Sequence, residues 1–156
     1  MNKHQEPNWN MVSEIELVYK SKVKLSDRPE VKSASSAYQI LLSQWDENRI
    51  ELTEQPIALL MNKANRVMGI YRMSTGGITG TVVDPRILFT AALKANASAI
   101  ILAHNHPSGN LTPSQQDRAI TEKLSEAGKF LDIKIVDHLI ITNEGFYSFA
   151  DEGLLS

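Results

Sequence analysis

A chain of 156 residues can bury one substantial core and is too short for two independent cores joined by a linker. Its 42% apolar and 22% charged residues are those of an ordinary folded domain, and no apolar run approaches the roughly 20 residues that cross a bilayer. The absence of cysteine excludes disulfides, thiolate nucleophiles and every cysteine-held metal site, and a net charge of −2 with interleaved signs leaves no basic stripe for a phosphate backbone.

Residues 1–12 are polar and aperiodic and lack the apolar core of an export signal, so a flexible N-terminal arm on a cytoplasmic protein is expected. Residues 13–156 are expected to form one domain. Residues 15–23 alternate, with Ile15, Leu17, Tyr19 and Val23 facing one way, which predicts a half-buried strand able to pair with another chain if exposed. Residues 25–33 hold Asp27, Pro29 and several charges and are expected to form a loop. Ser33 or Ser35 can then cap a helix reaching Trp45, with Ala37, Ile40, Leu41 and Trp45 on its buried face.

Residues 57–61 and 99–103 are continuously apolar, as in strands covered by helices on both faces. Between them, 66–73 and 78–83 read as strands around a turn at Gly76-Gly77. Gly76, Gly77 and Gly80 are too sparse for a phosphate loop, and turn or bulge roles suit them better. Asp84-Pro85 is a helix start, with the end near Asn96. Thr112-Pro113 predicts a second start, Thr112 capping at Gln115, and a helix that runs to Ala127 and closes on Gly128. Residues 133–136, 138–142 and 146–149 complete the chain as short strands about a turn at 143–145. The order predicts an α/β fold.

Residues 104–117 read His-Asn-His-Pro-Ser-Gly-Asn-Leu-Thr-Pro-Ser-Gln-Gln-Asp. His104 and His106, two apart at a strand end, project from the same side, and Ser114 and Asp117 share a helix face. His104, His106 and Asp117 would supply three ligands to a zinc ion whose fourth position stays open to water. Spacing alone leaves that site level with the plainer alternative of polar side chains satisfied by hydrogen bonds. Ser108 and Gly109 read as turn formers, and His138 as a structural or supporting histidine. A zinc nucleobase deaminase needs cysteines that the chain does not have.

His104-x-His106, seven residues, then Ser114-x-x-Asp117 resembles the JAMM motif of MPN-type (JAB) metallopeptidases. Residues 95–110, with Val83-Asp-Pro-Arg86 before and Asp137-His-Leu-Ile-Ile141 after, resemble the bacterial RadC-like JAB domain, and the likeness covers residues 51–155. The helix-hairpin-helix segment that often precedes this domain has no counterpart in the N-terminal part, so a short RadC-like protein is expected. The resemblance implies a three-layer α/β/α, cytidine-deaminase-like mixed sheet, with zinc held by His104, His106 and Asp117. It also implies Glu54 as general base for a zinc-activated water, Ser114 as oxyanion donor, and a peptide or protein substrate.

Two positions depart from the wider pattern. Asn105 stands where many eukaryotic members have Ser or Thr, though RadC-like proteins share this Asn, and Pro56 where a bulky apolar residue is expected; a shift at Pro56 would make Glu51 the substitute base. Two other functions stand beside the hydrolase: a DNA-repair-associated role binding DNA or repair partners, and a non-catalytic MPN scaffold. The scattered basic residues speak against the first and the complete ligand set against the second.

Overall fold

The computed structural model describes residues 11–73 and 83–155. Ser33 caps α1 (Ala34–Gln44): its side chain accepts from the Ser36 amide while the Ser36 hydroxyl oxygen accepts from the Ser33 amide, which satisfies two of the donors a helix start leaves open. Asp84 caps α2 (Pro85–Lys94) through the Arg86 amide, with Pro85 in the first turn, where no amide is needed. The strands are β1 (Pro56–Met61), β2 (Val67–Arg72), β3 (Ala99–Asn105), β4 (Lys134–Ile141) and β5 (Phe146–Ser148), joined in the order β2-β1-β3-β4-β5. β1 is antiparallel to both β2 and β3, β4 is antiparallel to β5, and β3 runs parallel to β4. That parallel step needs a crossover, which α3 (Gln115–Phe130) supplies.

Every residue of β1 and β3 is buried, because both faces of the sheet are covered. Ile57, Leu59, Ile101 and Leu139 pack with Ala37 and Leu41 of α1. On the opposite face Ala58, Leu60, Ile100 and Leu102 pack with Leu88 and Phe89 of α2 and Leu124 of α3. Each fully buried Leu or Ile there contributes about 1.5–3 kcal/mol relative to exposure. The fold is therefore the expected three-layer α/β/α arrangement around a mixed sheet.

The strand expected at 15–23 is not there: residues 11–22 have no helix or strand, and Ile15 and Leu17 are 86% and 80% exposed. An alternating segment becomes a strand only against a partner ladder, and the described contacts of this one are side-chain contacts: the Tyr19 hydroxyl donates to the Met68 carbonyl, and the Arg28 guanidinium lies 6.0 Å from the Tyr19 ring centre. The loop expected at 25–33 contains a short 3-10 turn, Leu25–Asp27. The turn at Gly76-Gly77, Gly80 and nearly all of the strand expected at 78–83 lie outside the described residues, as does most of the 1–12 arm.

The two strands expected on either side of Asp137 are one, β4, with a bulge. Ile100 pairs with Ile135 but Ile101 pairs with Asp137, so Val136 is the extra residue. A one-residue slip exchanges the faces of everything beyond it: Ile133 and Ile135 face α2 and α3, whereas Leu139 and Ile141 face α1. Asp137 is tolerated inside the strand because it accepts from the Ser148 hydroxyl at 2.6 Å, the His138 amide at 2.7 Å and the Ala150 amide at 3.0 Å. Burial nevertheless pushes its pKa up.

α3 neither starts at Thr112 nor ends at Ala127. Ser114 is its cap, and it continues past Gly128 to Phe130. Gly128 is required for a close approach rather than for a helix end: a Cβ there would lie 2.2 Å from the Ile133 carbonyl oxygen. Gly128→Ala is expected to lower the urea midpoint by an amount equivalent to about 1–3 kcal/mol of overpacking, despite the roughly 1 kcal/mol by which alanine is the better helix former. An unchanged midpoint would show that α3 and the β4 approach separate freely.

Candidate metal centre

β1 and β3 are antiparallel, with Pro56 opposite His104, so the residues that precede β1 lie beyond the C-terminal end of β3. Glu54 is thereby carried to the two histidines, although it precedes them by 50 and 52 positions in the sequence. Pro56, the first residue of its strand, has no amide to lose, and it does not displace Glu54: Glu54 Oε1 lies 3.7 Å from His104 Nε2. Glu51 is not among the clustered groups, its carboxylate accepting from Asn143 Nδ2 at 3.1 Å. Asp117 arrives from α3. Its Oδ1 is 3.3 Å from His104 Nε2 and its Oδ2 3.4 Å from His106 Nε2. Ligand atoms of Glu54, His104, His106 and Asp117 all lie within 4.8 Å of one another.

Ser114 and Asp117 close a capping box. The Ser114 amide donates to Asp117 Oδ2 at 2.8 Å, and Ser114 Oγ accepts from the Asp117 amide at 3.0 Å. The helix start therefore orients the carboxylate it places beside the histidines, and leaves the Ser114 hydroxyl hydrogen to donate elsewhere. The signal was present in the sequence as Ser-x-x-Asp, itself a capping pattern, and it outcompetes Thr112, whose amide instead donates to Asn110 Oδ1.

Hydrogen-bond partners assign both imidazole tautomers. Thr121 Oγ1 donates to the Asp117 carbonyl at 2.6 Å, so it must accept from His138 Nδ1, also at 2.6 Å. With that nitrogen protonated, neutral His138 has its lone pair at Nε2, which accepts from His104 Nδ1 at 2.7 Å. The lone pair of His104 is then at Nε2, facing the cluster. His138 is wholly enclosed, and burial holds its pKa well below the usual imidazole value, as this neutral role requires. It faces His104 because of the bulge at Val136. Thr121 was not foreseen, though its place four residues after Asp117 puts it on the same face of α3.

His106 Nδ1 lies 2.6 Å from the Asn110 carbonyl, an acceptor only, and is therefore protonated. The turn that aims this carbonyl bonds the Gly109 amide to His106 O and holds Gly109 at φ +80°, in the left-handed region open to glycine. The second lone pair of the site is thus His106 Nε2, 3.0 Å from His104 Nε2. Two imidazole lone pairs and two carboxylates meeting at one point call for a cation. A proton can serve: the adjacent Asp117 carboxylate raises the His106 pKa. Burial opposes the charge on Asp117, but hydrogen bonding to the histidine rings when their facing nitrogens carry a proton, together with the Ser114 amide, outweighs it and holds that carboxyl well below the usual range. The same donor set, imidazole nitrogen and carboxylate oxygen with no sulfur, could hold a metal ion and is of the kind that suits zinc.

The RadC-like JAB domain matches residues 31–154, a span that includes α1 to α3, β1 to β5 and the whole cluster. The chain belongs to that family. A UPF0758 protein of Flavobacterium johnsoniae is 52% identical over 96 residues, which cover 62% of this chain and 42% of the relative. The UPF0758 protein YfjY of Escherichia coli K12 is 45% identical over 102 residues, 65% of this chain and 64% of the relative. The UPF0758 protein STH371 of Symbiobacterium thermophilum is 44% identical over 103 residues, 66% and 44% of the two chains. This RadC-like JAB domain thus matches about half the length of such relatives, whose names state no activity. No helix among its described residues is long and apolar enough to cross a membrane.

Proposed function

We propose that this RadC-like JAB domain is a zinc-dependent hydrolase of the JAMM type that cleaves a peptide or isopeptide bond. The observation that supports it most is the convergence of two imidazole lone pairs with the carboxylates of Asp117 and Glu54. His104, His106 and Asp117 would hold the ion. A zinc ion bound there would supply Lewis acidity, lowering the pKa of a water to about 7 and polarising a carbonyl.

The chain's own groups supply the remaining work. Glu54, whose side chain is 26% exposed, is placed to take the proton of the attacking water and deliver it to the leaving amine. Ser114 donates its hydroxyl hydrogen to the carbonyl oxygen as negative charge develops there, a contact worth about 2.7–4 kcal/mol in comparable sites. His138 and Thr121 hold the His104 ring in one tautomer and orientation. A groove of about 310 Å³ lies beside His106, lined also by Glu51, Ser108 and Asn143. A metal-free scaffold would have only a proton to offset the facing lone pairs and carboxylates, and the interleaved charges of the sequence give a DNA-associated role no support.

A peptide and isopeptide library offered to zinc-loaded and EDTA-treated protein tests the proposal. Cleavage by the loaded protein alone is expected. Tight DNA binding at physiological salt that is indifferent to EDTA, with no cleavage, would replace the hydrolase by a DNA-associated role.

A further inference from the structure

We propose that Asn105, the residue between the two histidines, is a positioning residue for Glu54. The proposal rests on the hydrolase reading for what Glu54 does, but not for where it is held. Side chains alternate along β3, so His104 faces α3 while Asn105 faces the α1 side, where it is fully buried. Its side-chain amide donates to the Ile50 carbonyl at 2.7 Å and the Thr53 carbonyl at 2.8 Å, and its Oδ1 accepts from the Gln55 amide at 2.6 Å. Thr53 and Gln55 are the two neighbours of Glu54, so a single side chain grips the backbone on both sides of the candidate base.

The segment between α1 and β1 contains neither helix nor strand, and the backbone bonds of Ile50, Leu52 and Thr53 reach only as far as Asp46 and Arg49. Only a planar carboxamide offers two donors and an acceptor together. Aspartate has no donor for the two carbonyls, serine cannot span to all three groups, and glutamine is a methylene too long for a closed slot. One short stretch of β3 therefore sends His104 to the ion-binding side and Asn105 to the base-carrying loop, and fixes the distance between them through its own rigid backbone.

The test compares zinc-loaded wild type with Asn105→Ser by amide hydrogen exchange, zinc content and, with Co²⁺ in place of zinc, paramagnetic broadening of the Glu54 side chain. Protection of the Gln55 amide is expected to fall about tenfold or more while β3 and β4 amides keep theirs. Zinc content stays at the wild-type level and Glu54 broadening weakens. Where wild type cleaves a peptide, kcat falls with KM little changed, and Asn105→Ser adds nothing to the loss in Glu54→Gln, the signature of one residue acting through another.

Unchanged Gln55 protection and Glu54 broadening would overturn the proposal, as would loss of zinc, which would mean that Asn105 supports the histidines instead. Should Asn105→Ser not fold, rapid exchange of the Gln55 amide in the wild type overturns it and slow exchange supports it. A wild type that cleaves nothing sinks the hydrolase reading, and the exchange and broadening results then decide this proposal alone.

Discussion

Zinc content of about one ion per chain is expected in the wild type, falling to background in His104→Ala and Asp117→Ala. Loss of a partner that merely orients a ligand typically weakens metal binding 10- to 100-fold, so removing a ligand itself should cost more than about 100-fold. The geometry explains why neither change can be absorbed. His104 Nε2 lies within 3.7 Å of each of the other three groups, so its loss empties the middle of the cluster. Asp117 places one oxygen near each histidine, and its loss leaves the two lone pairs with only Glu54 to offset a dication. Added zinc should also stabilise the wild type, by about 2.7 kcal/mol at 100 times the dissociation constant, and should leave the melting temperatures of both variants nearly unmoved. Equal zinc content in wild type and both variants would overturn the ligand assignment.

Glu54→Gln is expected to keep its zinc and lose about 10²- to 10⁴-fold in kcat. The substitution preserves shape and removes only the ability to accept and return a proton. Glu54 is the most exposed member of the cluster, at 26% against 4% for His104 and 13% for Asp117, as suits a group that must meet both a water and a leaving amine. Because Glu54 lies outside β1 and is part-exposed, the unfolding midpoint should change little, which separates lost chemistry from lost structure. A fully active Glu54→Gln would move the proton-transfer role to another group. Glu51 would be a poor replacement, since its carboxylate is engaged with the Asn143 side chain and is not one of the four clustered groups.

Much of this molecule was legible before folding because its strongest signals are local. The continuous apolar runs of β1 and β3 can be satisfied only with both faces covered. Ser33 and Asp84-Pro85 start helices through bonds that reach no further than the next turn. The histidine pair and the Ser-x-x-Asp step lie within fourteen residues, and each half brings its members together through strand or helix geometry alone.

The errors fall where a local pattern needed a distant partner, or where two local patterns competed. The alternation at residues 15–23 has no ladder to join. Gly128 has the composition of a helix stop but serves an approach by residue 133. Thr112 and Ser114 are both competent caps, and Ser114 wins because Asp117 can reciprocate.

By itself the sequence determined the layers, because buried periodicity and helix caps are settled between near neighbours. It also determined the chemical identity of the cluster, because a chain without cysteine has only imidazole and carboxylate to offer a metal of this kind. Tertiary structure alone decided how those groups face one another. The antiparallel pairing of β1 with β3 brings Glu54 to the histidines, and the extra residue in β4 turns His138 toward His104. The slot below β3 lets Asn105 grip the loop that carries Glu54. Each of these depends on strand register, and register is set by the packing of the whole sheet between its helices rather than by any residue and its neighbours in the chain.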